Sequence, residues 1–369
     1  MQNPPKLALL FVPNHPAFYP HIVRHAQALR TKYARVVVGA VFRPGDALPS
    51  LDGVEWVSCA DCLPAGVMGF LRLMKNVWRV SRDFKCVAIE AVDPPCLIPA
   101  ALASLFRPTR LVYFSMEIFA ETPALANKFW KRLVWKRLEI LAVRRAQSVL
   151  TVNRSVATRL QKLLGIPSVK VVRSVPYQSP FATSSGALRA KCGIGATEFL
   201  LLYQGHLEKG RGIEFVANCL RKRPAVHFAV MGFGPLGATI EGIAQSQANL
   251  HFCGAHPFET LMSLAQDASA GVVWIEPIAE SYRLSLPGKI FEYVQSGLPV
   301  LGSPLPEIAG HIQTHGIGEV GEEFSEAAFL RALDSLCENV RQGTYANSLA
   351  QARLELCWER EQAQLLEAF

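Results

Sequence analysis

The sequence lacks the features of a membrane-spanning, secreted or zinc-binding protein. No stretch of its 369 residues reaches the roughly eighteen uncharged apolar residues that a spanning helix needs. The N-terminal apolar run is too short for a signal peptide and has no small-residue cleavage site, so it predicts a first strand. Cys59 and Cys62 form a single C-x-x-C pair, whereas a zinc ribbon needs two. With nine scattered cysteines, we expect a cytoplasmic protein with reduced thiols and no metal site.

The sequence also has few charged residues, and basic residues outnumber acidic ones. Only 18% of the residues are charged and 50% are hydrophobic, which is a globular composition, and the length suffices for two domains. The formal net charge of +8 favours an anionic partner: a nucleic acid, an anionic lipid or a phosphorylated substrate. Because neither a basic and aromatic sheet pattern nor a recognition helix is present, we expect no nucleic-acid binding.

Alternating strands and helices predict parallel sheets with helices outside. An apolar run at 6–12, a helical pattern at 21–32 and a second apolar run at 35–41 begin the series. A Pro- and Ser-rich segment at 173–186 has no periodicity and therefore indicates a linker. We predict an α/β protein with the following parts: a first domain over 1–180, a second over 181–345, and closing helices over 346–369.

Residues 271–301 predict a strand, a polar loop, a short helix and a further strand. The helix is expected over 287–296, with Pro287 in its first turn and Gly297 at its end. Lys289 lies in the first turn and Glu292 on the same face. A lysine at a helix N-terminus could bind the phosphates of a nucleotide and the carboxylate its ribose hydroxyls. The alternative is a surface ion pair that contributes about 0.2–0.5 kcal/mol.

The string LPGKIFEYVQSGLPVL resembles the donor-site segment of glycosyltransferase family 4, which usually reads P-x-K-x-x-E-Y-x-x-x-G-x-P-V. The resemblance implies the GT-B fold, with two doubly wound Rossmann-like domains facing across a cleft and the closing helices crossing back to the first domain. It also implies that a sugar is transferred, with retention of configuration, from a nucleotide-sugar to an acceptor hydroxyl. The donor is expected to be UDP- or GDP-linked, and no cofactor is expected, since the sequence has no D-x-D metal motif.

A second segment is similar to the family's G-R-L-x-x-x-K-G loop, and it implies the diphosphate contacts. Gly205, His206 and Gly212 are its expected donor-binding residues. Arg211 takes the place of the lysine, and an arginine can bind a diphosphate in bidentate fashion. His206 takes the place of the arginine, which predicts a weaker phosphate contact. The residues expected to be catalytic are Arg211, Lys289 and Glu292.

Further donor contacts are implied by position in the resemblance. The family often has a glutamate where this chain has Leu284, so the donor sugar is expected to meet the backbone near Ser285 and Leu286. His256 lies in a loop that in relatives is near the nucleotide base. A sugar-nucleotide epimerase could use the same fold, and that alternative stays open. The departures at His206 and Leu284 also leave open a catalytically degenerate nucleotide-binding module.

The acceptor is expected to bind beyond the strand ends of the first domain, as ligands do in such sheets. His15 and His21 lie in one loop there, and Glu117 follows another strand. Met116 takes the place of the histidine in the family's His-Glu pair, so the role of Glu117 rests on position alone. The expected acceptor is a glycan or a lipid-linked glycan.

The segment 124–146 combines an apolar helical stripe that includes Phe129 and Trp130 with many lysines and arginines. A helix of this kind can lie on an anionic membrane surface, where each basic residue adds ~1 kcal/mol of attraction. Alternatively, its apolar face packs on the sheet. The first reading predicts peripheral attachment to the inner membrane.

Overall fold

The chain folds into two compact units in a computed structural model that describes residues 6–16, 19–46, 48–60, 66–179, 184–256 and 258–369. The first unit comprises Met1–Ser174 and Glu361–Phe369, and the second unit comprises Val175–Arg360. The chain returns to the first unit at Glu361 rather than at residue 346, because the helix Ala346–Glu355 packs against the helix Lys289–Gln295 of the second unit. Cys62 lies outside the described residues.

The first unit is built on seven parallel strands. They are β1 (Leu7–Phe11), β2 (Arg35–Val41), β3 (Val54–Ala60), β4 (Ala88–Val92), β5 (Arg110–Ser115), β6 (Ser148–Thr151) and β7 (Lys170–Val171). Their spatial order is β3-β2-β1-β4-β5-β6-β7. Strands β1 and β4 are buried along their whole length, since parallel sheets have both faces covered. The strand order changes direction between β1 and β4: successive strands are added on one side up to β3 and on the other side from β4 onward. Ligands of such sheets bind at this topological switch point.

The first unit differs from the sequence expectation at one helix and one strand. Its helices are α1 (Pro20–Arg30), α2 (Gly66–Asp83), α3 (Asp93–Ala103), α4 (Phe129–Val143) and α5 (Arg154–Leu164), with a 3-10 turn at Phe119–Glu121. Helix α4 begins at Phe129 and not at residue 124, because residues 123–127 form turns. Strand β3 was not predicted, since it lies at the edge of the sheet and its residues are only partly buried.

The second unit contains six parallel strands. They are β8 (Phe199–His206), β9 (Val226–Phe233), β10 (Leu250–Gly254), β11 (Ala270–Val273), β12 (Val300–Gly302) and β13 (Gly318–Val320). Their order is β10-β9-β8-β11-β12-β13, so this sheet reverses between β8 and β11. The core beside it includes Trp274, which stacks on Phe215 at 5.6 Å and meets Phe329 edge-on at 4.9 Å between ring centroids.

The helices of the second unit connect these strands. They are α6 (Ala187–Cys192), α7 (Ile213–Leu220), α8 (Gly237–Ser246), α9 (Phe258–Ala265), α10 (Glu280–Arg283), α11 (Lys289–Gln295), α12 (Pro306–His315), α13 (Glu326–Arg341) and α14 (Ala346–Glu355), and α15 (Trp358–Leu366) leads into the first unit. Two all-parallel sheets with interleaved helices confirm the α/β class. Of the helices in the described ranges, none is both long and apolar enough to cross a membrane.

Candidate functional site

The lysine and the glutamate singled out from the sequence lie against the end of strand β8. Helix α11 begins at Lys289, later than expected, and the Lys289 Nζ lies 3.7 Å from the centroid of the Tyr203 ring. Glu292 Oε2 accepts a 2.6 Å hydrogen bond from Gln204 Nε2. Because Tyr203 and Gln204 are consecutive strand residues and each is only 1% exposed, β8 positions both charged side chains.

The ammonium group of Lys289 occupies an environment that disfavours its charge. Burial lowers the pKa of Lys289 well below its usual range, Arg211 lowers it further, and Glu292 opposes the shift. Burial and a like charge both destabilise a cation, and an anion nearby would reverse both effects. The site is therefore one that a bound anion would stabilise.

Two glycines at this site have backbone conformations that other residues rarely adopt, and each lies close to a neighbouring group. Gly205 has a φ of +122°, which L side chains rarely adopt, and a Cβ atom there would lie 3.5 Å from Lys289 Nζ. Gly212 has a φ of +75°, and its Cβ atom would lie 1.9 Å from the Trp274 carbonyl oxygen. Gly205 and His206 belong to β8 and not to the loop predicted from the sequence, while Gly212 caps α7.

Arg211 precedes helix α7 and is fixed by two neighbours. Its guanidinium carbon lies 4.7 Å from the centroid of the Tyr282 ring, and its Nη2 lies 3.9 Å from Glu208 Oε2. Tyr282 belongs to α10, in a stretch that the sequence analysis treated as a loop. The Tyr282 hydroxyl lies 3.4 Å from the same Glu208 oxygen. The arginine is therefore held without being buried, since about a quarter of its side chain stays exposed.

His206 presents an imidazole beside these cations. Its ring meets Phe233 edge-on with 5.6 Å between centroids. Burial lowers the pKa of His206, and the charges of Arg211 and Lys289 lower it further, while Glu208 opposes them. A lowered pKa favours the neutral ring, so His206 adds little to the positive charge of Arg211. Lys289 would regain its own charge when an anion binds.

The remaining donor-side candidates are less central. Ser285 Oγ donates to the Tyr282 carbonyl oxygen at 2.8 Å, and Leu286 is buried in the connection that precedes α11. His256 Nε2 lies 3.2 Å from the Cys253 carbonyl oxygen and 3.4 Å from Lys191 Nζ. The structure thus gathers Arg211, Lys289, Glu292, Gly205 and His206, whereas His256 lies at the end of β10, at the edge of the sheet.

The acceptor-side candidates of the first unit occupy three different environments. His15 is partly exposed, with Nε2 3.7 Å from Asp46 Oδ2. His21 is not a loop residue: it belongs to α1, is 1% exposed and packs its ring on His25 and Phe114. Burial lowers the pKa of His21 well below its usual range. Glu117 is partly buried just beyond β5.

Asp93 is a candidate that the sequence reasoning missed. It directly follows β4 at the switch point, is buried, and has a φ of +56°, the one non-glycine residue with positive φ in the described part of the chain. Its Oδ1 accepts from the Met116 N–H at 3.0 Å. Burial raises the pKa of Asp93 well above its usual range, and Glu117 adds to this. The sequence signal that could have identified it is an aspartate placed directly between a buried strand and Pro94-Pro95.

The described residues offer no group of three or more His, Cys, Asp or Glu side chains that could hold a metal ion. The eight cysteines among them are buried and none is in a disulfide. Burial raises the pKa of Cys59 to about 12, so this thiol is a poor nucleophile.

Comparison with known proteins identifies the fold and finds a family similarity for part of the chain. The chain resembles sucrose-phosphate synthase from Thermosynechococcus elongatus with a TM-score of 0.77 at 13% identity, covering 98% of this chain and 97% of that one. It resembles Anabaena Alr3699/HepE in complex with UDP with a TM-score of 0.72 at 16% identity, covering 98% of each chain. WaaG, a glycosyltransferase involved in lipopolysaccharide biosynthesis, gives a TM-score of 0.72 at 17% identity, covering 98% and 99%.

These alignments, together with the two parallel sheets, define a GT-B fold of two Rossmann-like domains. Residues 20–174 match the model of Glycosyltransferase Family 4. This match covers less than half of the chain, and it makes residues 20–174 similar to the glycosyltransferases of family 4. A search of curated proteins found no match. The family match lies in the first unit, whereas the donor-site resemblance of residues 286–301 lies in the second unit.

Proposed function

We propose that this protein transfers a sugar from a nucleotide-sugar to an acceptor hydroxyl with retention of the anomeric configuration. The observation that carries the proposal is the pair of cations, Lys289 and Arg211, held near the end of β8. As the bond to the sugar breaks, negative charge develops on the leaving diphosphate. Positive charges that are fixed in advance stabilise this transition state more than the ground state.

Glu292 has a separate part in donor binding. Its Oε2 is engaged by the amide of the buried Gln204, which fixes the direction of the carboxylate. The other oxygen is then positioned to accept hydrogen bonds from ribose hydroxyls. A charged acceptor makes such bonds stronger than a neutral one. This arrangement recognises any ribonucleotide, so it leaves the base to other contacts.

Uridine diphosphate is the nucleotide that we propose first. The similar HepE structure is a complex with UDP, which supports a UDP-sugar over a GDP-sugar. Lys289 and Arg211 supply two positive charges, which offset the charge of the leaving diphosphate without a metal ion. His206 contributes little charge, since burial lowers its pKa.

Carboxylates in the first unit suit an acceptor rich in hydroxyl groups. Asp93 and Glu117 follow β4 and β5, the strands at and beside the switch point. The two groups interact electrostatically, since Glu117 adds to the raised pKa of Asp93 that burial causes. We assign Asp93 and Glu117 to hydrogen bonds with acceptor hydroxyls. His15 follows β1, the strand that pairs with β4, and is assigned to the same acceptor side.

The surface of α4 supports a lipid-linked acceptor and peripheral attachment to the inner face of a membrane. Trp130, Val134, Leu138 and Leu141 recur at helical spacing and are 74%, 55%, 38% and 61% exposed. The apolar stripe therefore does not cover the sheet. A basic helix with an exposed apolar stripe has the composition of an interfacial helix. The similarity to WaaG, an enzyme of lipopolysaccharide biosynthesis, is consistent with such an acceptor.

A thermal-shift panel of UDP-, GDP- and CMP-sugars tests the donor, and nucleotide release in the presence of glycan acceptors tests transfer. We expect stabilisation by UDP-sugars, release that depends on acceptor, and retained configuration in the product by NMR. Interconversion of the donor sugar without an acceptor would identify an epimerase. Stabilisation by no nucleotide-sugar would contradict the proposal.

A further inference from the structure

A cavity of about 420 Å³ lies in the first unit, and none of the acceptor candidates lines it. Its walls come from α4, α5 and the 3-10 turn at Phe119–Glu121. Phe129 and Leu133 of α4 and Leu163 of α5 form its apolar side. The volume falls within the range of roughly 300–1,000 Å³ that is usual for small-molecule sites.

The polar side of this cavity is strongly basic. It holds Arg132, Lys136, Arg159 and Lys162 against one carboxylate, Glu121, so the formal excess is three positive charges. Glu121 is engaged by Arg159, whose Nε lies 3.1 Å from Oε2 and whose Nη2 binds Oε1. Arg132 Nε donates to the Ala120 carbonyl oxygen at 3.0 Å, which turns its guanidinium along the cavity wall.

The two lysines of the cavity, Lys136 and Lys162, differ from the two arginines in their side-chain contacts. In the described part of the chain, neither Lys136 nor Lys162 forms a hydrogen bond or an ion pair with another side chain, although they line one cavity. Like charges gathered in this way repel one another unless an anion joins them. The charge and the partly apolar walls favour an anion that also has an apolar part.

The cavity adjoins the exposed apolar stripe of α4. With 3.6 residues per turn, Phe129, Leu133 and Lys136 face the cavity, and Trp130, Val134 and Leu138 occupy the neighbouring face of the same helix. Lys131 and Arg137 are exposed on this helix outside the cavity. A ligand bound in the cavity would therefore lie beside the face of α4 that carries the apolar stripe.

We propose that this cavity is a headgroup site that binds the phosphate of an anionic phospholipid while the α4 stripe enters the same leaflet. Arginine and lysine bind phosphate oxygens through charge-assisted hydrogen bonds. The occupant is a lipid because the basic cavity and an exposed apolar stripe share one helix, which a soluble phosphate would not use. The proposal rests on the peripheral attachment proposed above and adds a preference for phosphate over other anionic headgroups.

The test compares vesicles of equal surface charge whose anionic component is either phosphatidylglycerol or oleate, in a phosphatidylcholine background. Two double variants remove two charges each: Lys136→Gln with Lys162→Gln in the cavity, and Lys131→Gln with Arg137→Gln outside it. The ratio of affinities for the two vesicles is the readout, because both variants lose general attraction equally. Thermal melting with and without a UDP-sugar checks that both variants are folded.

We expect the wild-type protein to prefer phosphatidylglycerol by roughly tenfold, the value of one charge-assisted hydrogen bond. The cavity variant should lose this preference, and the control variant should keep it. An equal affinity for both vesicles, or the same ratio in both variants, would overturn the headgroup site and leave peripheral attachment in place. An absence of binding to any vesicle would overturn both.

A second experiment, with a soluble phosphate and no vesicles, distinguishes a lipid ligand from a free anion. Glycerol 1-phosphate is titrated without vesicles, and we expect weak binding that does not compete with phosphatidylglycerol vesicles at millimolar concentration. Tight binding of the soluble phosphate that the cavity variant abolishes, with no vesicle preference, would overturn the lipid assignment in favour of a soluble ligand.

Discussion

The two sheets have the same kind of topology, but the ionisable side chains beyond their central strands are acidic in one unit and basic in the other. In the first unit Asp93 follows β4 at the switch point and Glu117 follows β5. In the second unit Lys289 and Arg211 gather beside the end of β8. We propose a ligand site in each unit, and the side chains there would decide which ligand binds. Carboxylates suit hydroxyl groups and cations suit phosphates.

Burial disfavours the charged form of an ionisable group in both proposed sites, but a bound ligand would affect the two groups differently. It raises the pKa of Asp93 and lowers the pKa of Lys289, so each group is moved towards its neutral form. A diphosphate would restore the charge of Lys289. A neutral acceptor hydroxyl would leave Asp93 as it is. The proposed donor site is thus the more sensitive of the two to charge.

Loss of the Lys289 charge should have the largest effect. We expect Lys289→Ala to lower kcat/KM by about 10²–10³, the usual result of removing one preorganised donor to developing negative charge. Steady-state kinetics with a UDP-sugar measures this. The matched control is Lys209→Ala, an exposed lysine of the preceding loop, which should retain activity. Equal losses in the two variants would remove Lys289 from the site.

Arg211→Ala should come next, with roughly a hundredfold loss that falls mainly on kcat, because the diphosphate charge is greatest as the sugar leaves. Arg211→Lys should recover only part of the activity, since a lysine lacks the planar group that stacks on Tyr282. A raised KM at unchanged kcat would show that the arginine binds the ground state and the transition state equally.

Glu292→Gln should weaken nucleotide binding by roughly 10- to 150-fold, since a hydrogen bond to a charged group contributes ~1.5–3 kcal/mol. Calorimetric titration with UDP measures the change. Glu280→Gln serves as the control, because Glu280 lies on the surface of α10 near Arg283. If both variants bind UDP like the wild type, Glu292 does not contact the ribose.

Donor affinity should fall as pH rises through the lowered pKa of Lys289, by at most about tenfold per pH unit. The free lysine loses its proton more readily than the bound one, because the diphosphate stabilises the ammonium, so binding takes up a proton. Titrations in buffers of different ionisation enthalpy would detect the uptake. Lys289→Arg, which stays charged, should abolish it. Proton release on binding would contradict this account.

The smallest effect is expected in the first unit. Asp93→Asn should raise the KM for acceptor several-fold, as the loss of one hydrogen bond to a hydroxyl implies, and leave UDP affinity unchanged. Asparagine tolerates the positive φ of this position, so folding should be preserved. Asp83→Asn at the exposed end of α2 is the control. A change in UDP affinity alone would break the contrast between the two units.

The sequence by itself determined the α/β class and the position of the donor segment. Apolar runs and helical periodicity depend on neighbours along the chain, so β1, β2, β5 and α11 could be recognised locally. The family resemblance likewise rested on short continuous strings of residues, chiefly 286–301. The GT-B fold implied by those strings is confirmed by the structural comparisons.

Tertiary structure decided which side chains meet. The hydrogen bond from Gln204 to Glu292 joins residues 88 positions apart, and the contact between Arg211 and Tyr282 depends on a four-residue helix with no periodicity of its own. His21, expected in a loop, is buried in α1. The apolar stripe of α4 could have covered the sheet or faced outward. A periodic pattern shows that a helix has an apolar face, but only packing decides whether another element covers that face.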